Sequence, residues 1–597
     1  MVNPANSATN QLADFKVDRR LIALTAMAVV VGVGGVAAAW VLLKLIALVT
    51  NLVWLGKVSV APVVMGDVPR SPWMVAAPAL GGLAIGLMAR FGSEKIRGHG
   101  IPEAIEAILI GGSRMSPKVA VLKPLSSAIS IGAGGPFGAE GPIIMTGGAL
   151  GSLFAQFFNL SAAERKTLLV AGAAAGMTAV FGTPLAAIML AVELLLFEWK
   201  PRSFIPVATA ALIAIGLRPA LFGPAPLFPF ASDPQLPWWG LIACAGVGLG
   251  AGLLSSLLTK ALYVIEDAFE KLPVHWMWWP MLGGLAVGLG GLVEPRALGV
   301  GYDVIGDLMS AHLVITAVLA LFLVKAAIWL VSLSSGTSGG VLAPLLIMGG
   351  AMGWLIGIAL PGPHGFWAIL GMAAILGGTM RAPLTGAIFA LELTGDVAML
   401  PAVVAACATA YGVTVLLMKR SILTEKIARR GQHITREYAI DPFELTRVSE
   451  VMVQAVETLS ADMTVSQAVA VLERGRHRIY PVVDDRGRPV GLMSRAEALR
   501  WSIEPGQNGE RLFDRLSDAA LPTAHPDDVA ARAVDIMITN DMSRLPVTDR
   551  VSGRLVGLLT RKHLLQVRRL SAANEHEREV ILMPARRGRE DKSERRA

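Results

Sequence analysis

The sequence predicts an α-helical polytopic membrane domain, built as two related halves of broken and tilted helices, followed by an α/β module made of a tandem repeat. Three observations carry this. Of 597 residues, 54% are hydrophobic and 16% charged, against about 25% charged in soluble domains, and the mean hydropathy is +0.58. The 63 glycines and 35 prolines fall inside apolar segments, a composition suited to helices that break within a bilayer. Beyond about residue 436 the pattern changes to alternating strands and helices in two matching copies. This balance excludes an ordinary cytosolic enzyme, a disordered chain, a collagen-like repeat and a disulfide scaffold. Cys244 and Cys407 each sit in an apolar run, where a free thiol behaves as a small hydrophobe. The net charge of +8 comes from Lys and Arg at the termini and in loops. These read as membrane flanks and give no reason to invoke nucleic acid.

Residues 1–20 form a polar segment ending in Lys16, Asp18, Arg19 and Arg20. The run Leu21–Leu43 carries no charge. It exceeds a signal-peptide core, so it is read as a spanning segment, with the basic residues before it placing the N-terminus in the cytoplasm. Further apolar stretches follow at 74–89, 117–133, 142–159, 167–192, 204–221, 237–259, 275–293, 313–330, 342–360, 365–378 and 383–391. Several fall short of the ~20 residues that cross a bilayer and are read as half-spanning or tilted pieces. Between Asp307 and Arg381 the only formal charge is Lys325. The transmembrane domain is therefore placed at 21–431, ending in the basic stretch Lys419–Arg430, with a linker at 432–445.

In the soluble part, Tyr480-Pro-Val-Val-Asp and Pro489–Ser494 match Leu545-Pro-Val-Thr-Asp and Leu555–Thr560. Helix-like stretches precede each unit (464–474, 527–539) and follow it (495–500, 561–569), which sets two repeats at 446–502 and 515–570. The tail, 571–597, is rich in charge and read as disordered.

The membrane part also repeats. Gly172-x-Ala-Ala, Pro184-Leu185 and Ala191-x-Glu193-Leu194 align without a gap on Gly371-x-Ala-Ala, Pro383-Leu384 and Ala390-x-Glu392-Leu393, 199 positions on (184 to 383). Gly141-Pro142 and Ala343-Pro344 match 202 positions on (142 to 344). Two halves with corresponding breaks are the pattern of a transporter built from internal repeats.

A helix that starts inside a membrane presents unpaired N–H groups and about half a positive charge, so an anion is its natural partner. Three segments qualify: Gly98-His99-Gly100-Ile101-Pro102, Gly138-Ala139-Glu140-Gly141-Pro142, and Gly339-Gly340-Val341-Leu342-Ala343-Pro344. Glycine lets backbone approach closely, and proline near a helix start costs no hydrogen bond. Amides and hydroxyls hold an anion loosely enough to release it. Glu140 is a carboxylate among these glycines. The helix dipole favours its ionised form and burial its protonated form. It either competes for the anion's place or merely caps its own helix.

With these three motifs in this order, the chain resembles the ClC family of chloride channels and proton/chloride exchangers, followed by a pair of CBS domains, over nearly its whole length. The resemblance implies two inverted repeats, one pore per subunit and a homodimer. It also implies a multi-pass protein of a bacterial-type inner membrane with both termini cytoplasmic. The family's motifs are G-S-G-I-P, G-K/R-E-G-P and G-x-F-x-P. By resemblance, Glu140 is the gating glutamate, with Gly138, Ala139, Gly141 and Pro142 completing its motif. Val341 and Leu342, between Gly340 and Pro344, match positions whose amides hold the central anion, a role that survives Leu for Phe. His99, followed by Gly100 and Ile101, stands where an anion-contacting serine is usual. Its imidazole either donates to the anion or faces another helix or water. Ala139 replaces a basic residue of the outer mouth.

The family's inner tyrosine maps to Leu423 in Ser421-Ile422-Leu423-Thr424, and its inner proton glutamate to Leu194. Glu198, one helical turn beyond Leu194, is either a substitute or a solvated helix end. Glu193 and Glu392 occupy equivalent repeat positions and read as partners of buried donors. CBS pairs are regulatory modules, some of which bind adenine nucleotides through a Ser/Thr followed three residues later by Asp. Here Ser494 is followed by Glu497 and Thr560 by His563, so nucleotide binding competes with a dimer-stabilising role, and no other cofactor is expected.

The reading that follows is gated chloride conduction, leaning to a channel because the inner glutamate and tyrosine are both replaced. The alternative is proton-coupled chloride exchange with Glu140 as the alternating carrier. A CBS-regulated cation transporter would need acidic rings within the membrane. An intramembrane enzyme would need a nucleophile beside a base or a metal. Ser334, Ser335 and Ser338 have no neighbouring His or Asp and no HExxH occurs, so no catalytic residue or metal ligand is assigned.

Overall fold

The computed structural model describes residues 19–224, 226–231, 237–310, 313–431, 443, 446–503, 509–516 and 521–568. The expectations for the polar N-terminal segment, the 432–445 linker and the charged tail lie almost wholly outside the described residues. The chain divides near residue 436 into two compact units.

The described part of the first unit is helical. Its first half holds α1 (Arg20–Leu55), α2 (Trp73–Phe91), α3 (Ile101–Leu109), α4 (Pro117–Gly132), α5 (Glu140–Gln156), α6 (Ala162–Phe181), α7 (Pro184–Leu190) and α8 (Pro201–Phe222). Its second half holds α9 (Gly240–Glu270), α10 (Trp279–Val293), α11 (Tyr302–Ser310), α12 (Ile315–Ser334), α13 (Leu342–Gly357), α14 (His364–Met380), α15 (Pro383–Thr394), α16 (Leu400–Leu417) and α17 (Ile422–Arg429). Among the described residues, seven helices are long and apolar enough to cross a membrane, while α13, α14 and α15 are shorter. The halves pack alike: α5 lies on α6 and α6 on α8, as α13 lies on α14 and α14 on α16. Small residues permit backbone approach between helices in a bilayer. A Cβ at Gly82 of α2 would strike the Pro280 carbonyl of α10, and one at Gly284 of α10 would strike the Pro78 carbonyl of α2.

The apolar stretch 167–192 is not one element. Gly182 takes φ +72, its N–H closes on the Thr178 carbonyl at 2.7 Å, and Pro184 opens α7. Proline fits the first turn of a new helix but cannot continue an old one. After α7 the chain widens into a π-helical turn, Ala191–Leu196, which Phe197 ends at φ +53.

The two halves bind each other reciprocally. The Glu392 carboxylate accepts from the Leu185 and Ala186 amides at 2.9 and 2.8 Å. The Glu193 carboxylate accepts from the Leu384 and Thr385 amides at 3.3 and 2.8 Å and from the Thr385 hydroxyl at 2.6 Å. Each acidic residue thus caps the start of the other half's short helix, where orphan N–H groups and the dipole favour an anion. A second matched pair is buried. The Lys123 ammonium donates to the Ile96 and Gly98 carbonyls at 2.8 and 2.7 Å. Lys325, 202 positions on (123 to 325), donates to the Ala297 and Gly299 carbonyls at 2.9 and 3.0 Å. Both lysines pin the loop that leads into a short helix.

In the second unit, β1 (Leu459–Ser460) runs parallel to β2 (Ile479–Val483), which pairs antiparallel with β3 (Pro489–Ser494). β4 (Arg544–Thr548) pairs antiparallel with β5 (Leu555–Thr560). The repeat extends to the irregularity in each hairpin, between Val482 and Val483 and between Val547 and Thr548. Each sheet packs its inward residues on a helix: Tyr480, Val482 and Met493 with Ala468 and Leu472, then Leu545, Val547 and Leu559 with Ala533 and Met537. The turns of the two copies meet where the Leu555 amide donates to the Gly487 carbonyl at 2.9 Å.

Candidate functional site

The three broken segments converge. The Gly138 amide donates to the Gly340 carbonyl at 3.1 Å and the Gly340 amide to the Gly138 carbonyl at 2.9 Å, an antiparallel bridge joining the starts of α5 and α13. The Gly98 amide donates to the Thr337 carbonyl at 3.2 Å, and Gly98 bridges Ser338 in parallel. Only glycine allows this approach. A Cβ at Gly340 would lie 2.9 Å from the Gly141 nitrogen and 3.0 Å from Glu140 Oε2. One at Gly100 would lie 2.7 Å from the Gly141 carbonyl oxygen. The first amides of α5 and α13 have no partners within their own helices, and both helix starts meet at this bridge. Val341, Leu342, Gly141 and Pro142 are all buried there.

Glu140 opens α5 with no exposure to solvent. Its carboxyl lies beside its own amide and that of Ala343, so one acidic side chain spans both helix starts. Oε1 accepts from the Tyr302 hydroxyl at 3.1 Å, whereas Oε2 has no hydrogen-bond partner. Neither Tyr302 nor the buried lysines stood out as site residues in the sequence. For Lys325, being the lone charge of a long apolar stretch was the available signal.

The third start behaves differently. The Gly100 amide, expected to face an anion, is occupied by Glu103 Oε2 at 2.9 Å. Glu103 Oε1 pairs with Lys426 at 3.2 Å and Arg430 at 3.3 Å. The carboxylate of α3 thus caps its own helix, and the basic end of α17 neutralises it. Ile101 is fully buried. His99 is 2% exposed, and neither ring nitrogen has a partner. A cavity of about 710 Å³ lies beside this segment, lined in part by Arg97, Glu103, Glu266, Lys426, Arg429 and Arg430.

Leu423 is fully buried in the first turn of α17. The Tyr263 hydroxyl of α9 donates to the neighbouring Ile422 carbonyl at 2.6 Å, so a phenol from another helix sits next to the position that lacks one. Leu194 is also fully buried. Glu198 is not one helical turn beyond it, because Phe197 turns the chain out of the helix. Nor is Glu198 a solvated end: it pairs with Lys166 at 3.1 Å and accepts from the Ser203 hydroxyl at 2.6 Å. Ser338 bonds to the hydroxyls of Ser126 and Ser127, Ser334 to the Leu262 carbonyl, and Ser335 to the Ser332 carbonyl and the Thr337 hydroxyl.

In the second unit, the Ser494 hydroxyl donates to Glu497 Oε2 at 2.7 Å and the Glu497 amide to the Ser494 hydroxyl at 3.2 Å, a reciprocal cap on the following helix. Thr560 ends β5, and His563 keeps Nδ1 buried without a partner.

Comparison with known proteins gives the same two-part division. The family described as voltage gated chloride channel matches residues 81–415, and the CBS domain matches residues 448–504 and 516–569. The voltage-gated ClC-type chloride channel ClcB of Escherichia coli O81 (strain ED1a) is 30% identical over 377 residues, covering 60% of this chain and 88% of that protein. Among solved structures, a slow cyanobacterial Cl⁻/H⁺ antiporter superposes with a TM-score of 0.59 at 21% identity, over 69% of this chain and 98% of the other. A eukaryotic CLC transporter superposes with a TM-score of 0.57 at 19% identity, over 91% and 98%. At these identities the structural likeness speaks for the fold.

Proposed function

Because the chain belongs to the voltage-gated chloride channel family, a family of chloride-transporting membrane proteins, we propose that it conducts chloride passively through a pathway gated by Glu140. The observation that carries this reading is the two-bond bridge between Gly138 and Gly340, which aims two helix starts at one place. Val341 and Leu342 would hold the anion there by their amides, so the side chain at 342 is free to differ from the family's phenylalanine. The ionised Glu140 carboxylate acts as a tethered anion in the same field. Protonation removes the charge that keeps it there, the side chain yields, and chloride takes its place.

Conduction without proton coupling is favoured by what stands at the inner positions. Leu194 and Leu423 cannot exchange protons, and Glu198 is engaged by Lys166 and Ser203. The protein is proposed to work as a homodimer in a bacterial inner membrane with both termini cytoplasmic, and its CBS pair to regulate it. In the CBS pair the Ser494 hydroxyl is occupied by Glu497, which favours a dimer-stabilising role over adenine-nucleotide binding. The test is simultaneous recording of chloride and proton movement in liposomes containing only the purified protein. Chloride flux without proton movement is expected. Chloride running down its gradient while driving protons the other way would replace this reading with coupled exchange.

A further inference from the structure

The gating residue has a side-chain partner that neither the motif nor the repeat contains. We propose that Tyr302 is a positioning residue that holds Glu140 in the anion pathway through a hydrogen bond from its hydroxyl. The inference rests on the reading of Glu140 as the gate.

Four observations converge on it. Among the described residues, the only side-chain hydrogen bond to the Glu140 carboxyl comes from Tyr302, at 3.1 Å. The other carboxyl oxygen is buried without a hydrogen-bond partner, and besides Tyr302 the carboxyl has, among the described residues, only the amides of Glu140 itself and Ala343 near it as donors. The tyrosine is placed by a fixed loop: Lys325 holds the Ala297 and Gly299 carbonyls, and the Gly299 amide donates to the Gly134 carbonyl at 3.1 Å. Gly301, at φ +77, then turns the chain into α11, which begins at Tyr302. Finally, the ring is held edge-on by Phe181 of α6 and by Phe228, at centroid separations of 6.1 and 6.4 Å, and Phe181 is in turn braced by Phe389 of α15 at 5.0 Å. A phenol fixed on all these sides delivers its hydroxyl to one spot.

The charged groups near Glu140 and near the third broken segment have other partners. Lys325, on α12, has its ammonium on two carbonyls and Asp303 nearby. Lys123, on α4, is bonded to the Ile96 and Gly98 carbonyls, and Glu103, on α3, to Gly100, Lys426 and Arg430. A tyrosine hydroxyl can donate to a carboxylate or accept from a carboxylic acid, but the bond to the charged form is the stronger. Tyr302 therefore favours the ionised, seated glutamate without forbidding the protonated one. The device is a latch on the gate that protonation weakens.

The experiment compares wild type, Tyr302→Phe, Glu140→Gln and the double variant as full-length protein in liposomes, reading chloride flux against pH. Phenylalanine keeps the ring and its packing, so the hydroxyl alone is removed. Losing a hydrogen bond to a charged group disfavours the seated carboxylate about tenfold, which moves the pH of half-maximal flux upward by about one unit. In the Glu140→Gln background the same change is expected to do nothing. If Glu140→Gln abolishes the pH response but Tyr302→Phe leaves the profile where it was, the role of Tyr302 is overturned and the gate reading stands. A displacement that persists in the double variant overturns it as well. If Glu140→Gln itself leaves the pH response intact, the gate reading falls and the latch with it.

Discussion

Replacing Glu392 with alanine removes the cap on the start of α7 and leaves the Leu185 and Ala186 amides without the acceptor they share. A hydrogen bond to a charged group contributes about 1.5–3 kcal/mol, and a stranded donor costs about as much as its desolvation. The lower figure applies, since the Leu185 bond is exposed and an unfolded segment in a membrane finds other partners. Two such bonds give about 3 kcal/mol. At about 2.1 cal/mol/K per residue, a unit of roughly 400 residues shifts by about 1.2 °C per kcal/mol, so the apparent melting temperature should fall by about 3–4 °C. Glu193→Ala is the matched control. It loses two corresponding amide bonds, from Leu384 and Thr385, and also the Thr385 hydroxyl at 2.6 Å, so it should melt lower still, by about 1 kcal/mol more. Scanning both variants by intrinsic fluorescence in detergent measures the two shifts in one experiment. Wild-type melting of either variant, or a larger loss for Glu392 than for Glu193, would refute the argument that the halves are joined by exchanged helix caps.

Two further outcomes concern the pathway. Gly340→Ala puts a methyl group 2.9 Å from the Gly141 nitrogen and 3.0 Å from Glu140 Oε2, so chloride efflux from liposomes should fall at least about tenfold while the protein still elutes as folded material. Overpacking of this size costs about 1–3 kcal/mol, and unimpaired efflux would mean that anions pass elsewhere. His99→Ser should alter the ratio of chloride to nitrate flux, since a ring with two unpartnered buried nitrogens gives way to a small hydroxyl. An unchanged ratio would mean that the imidazole faces only protein.

The glycine-proline breaks and the 199-residue repeat were legible because both are local signals: a residue type that breaks a helix, and an identity that recurs in register. The same register made Glu193 and Glu392 readable as equivalent partners of backbone donors. Tyr302 was hidden because its relation to Glu140 spans 162 residues and is set by a loop pinned at Lys325. Tyr263 was hidden for the same reason, reaching Ile422 across 159 residues. The partner of the Gly100 amide was not foreseen: the carboxylate three residues on, Glu103, reaches back to it, a competition that helix-start reasoning can anticipate. Glu198 was misplaced because helical spacing was extended past Phe197, whose left-handed backbone no apolar pattern announces. The apolar run 167–192 was written as one stretch because the residues on both sides of Gly182 are equally apolar, although Pro184 already marked a break in the repeat.

The bridge between Gly138 and Gly340 has a consequence for how this protein can change over generations. If the proposed pathway runs there, its resting point for a solute is assembled from main-chain N–H groups, which every residue except proline supplies alike, so drift at 139, 341 or 342 to anything but proline would retune the passage's width and speed without erasing it. The vulnerable letters are the few that spell nothing, the hydrogens of the glycines, where any gain of substance is a loss of opening.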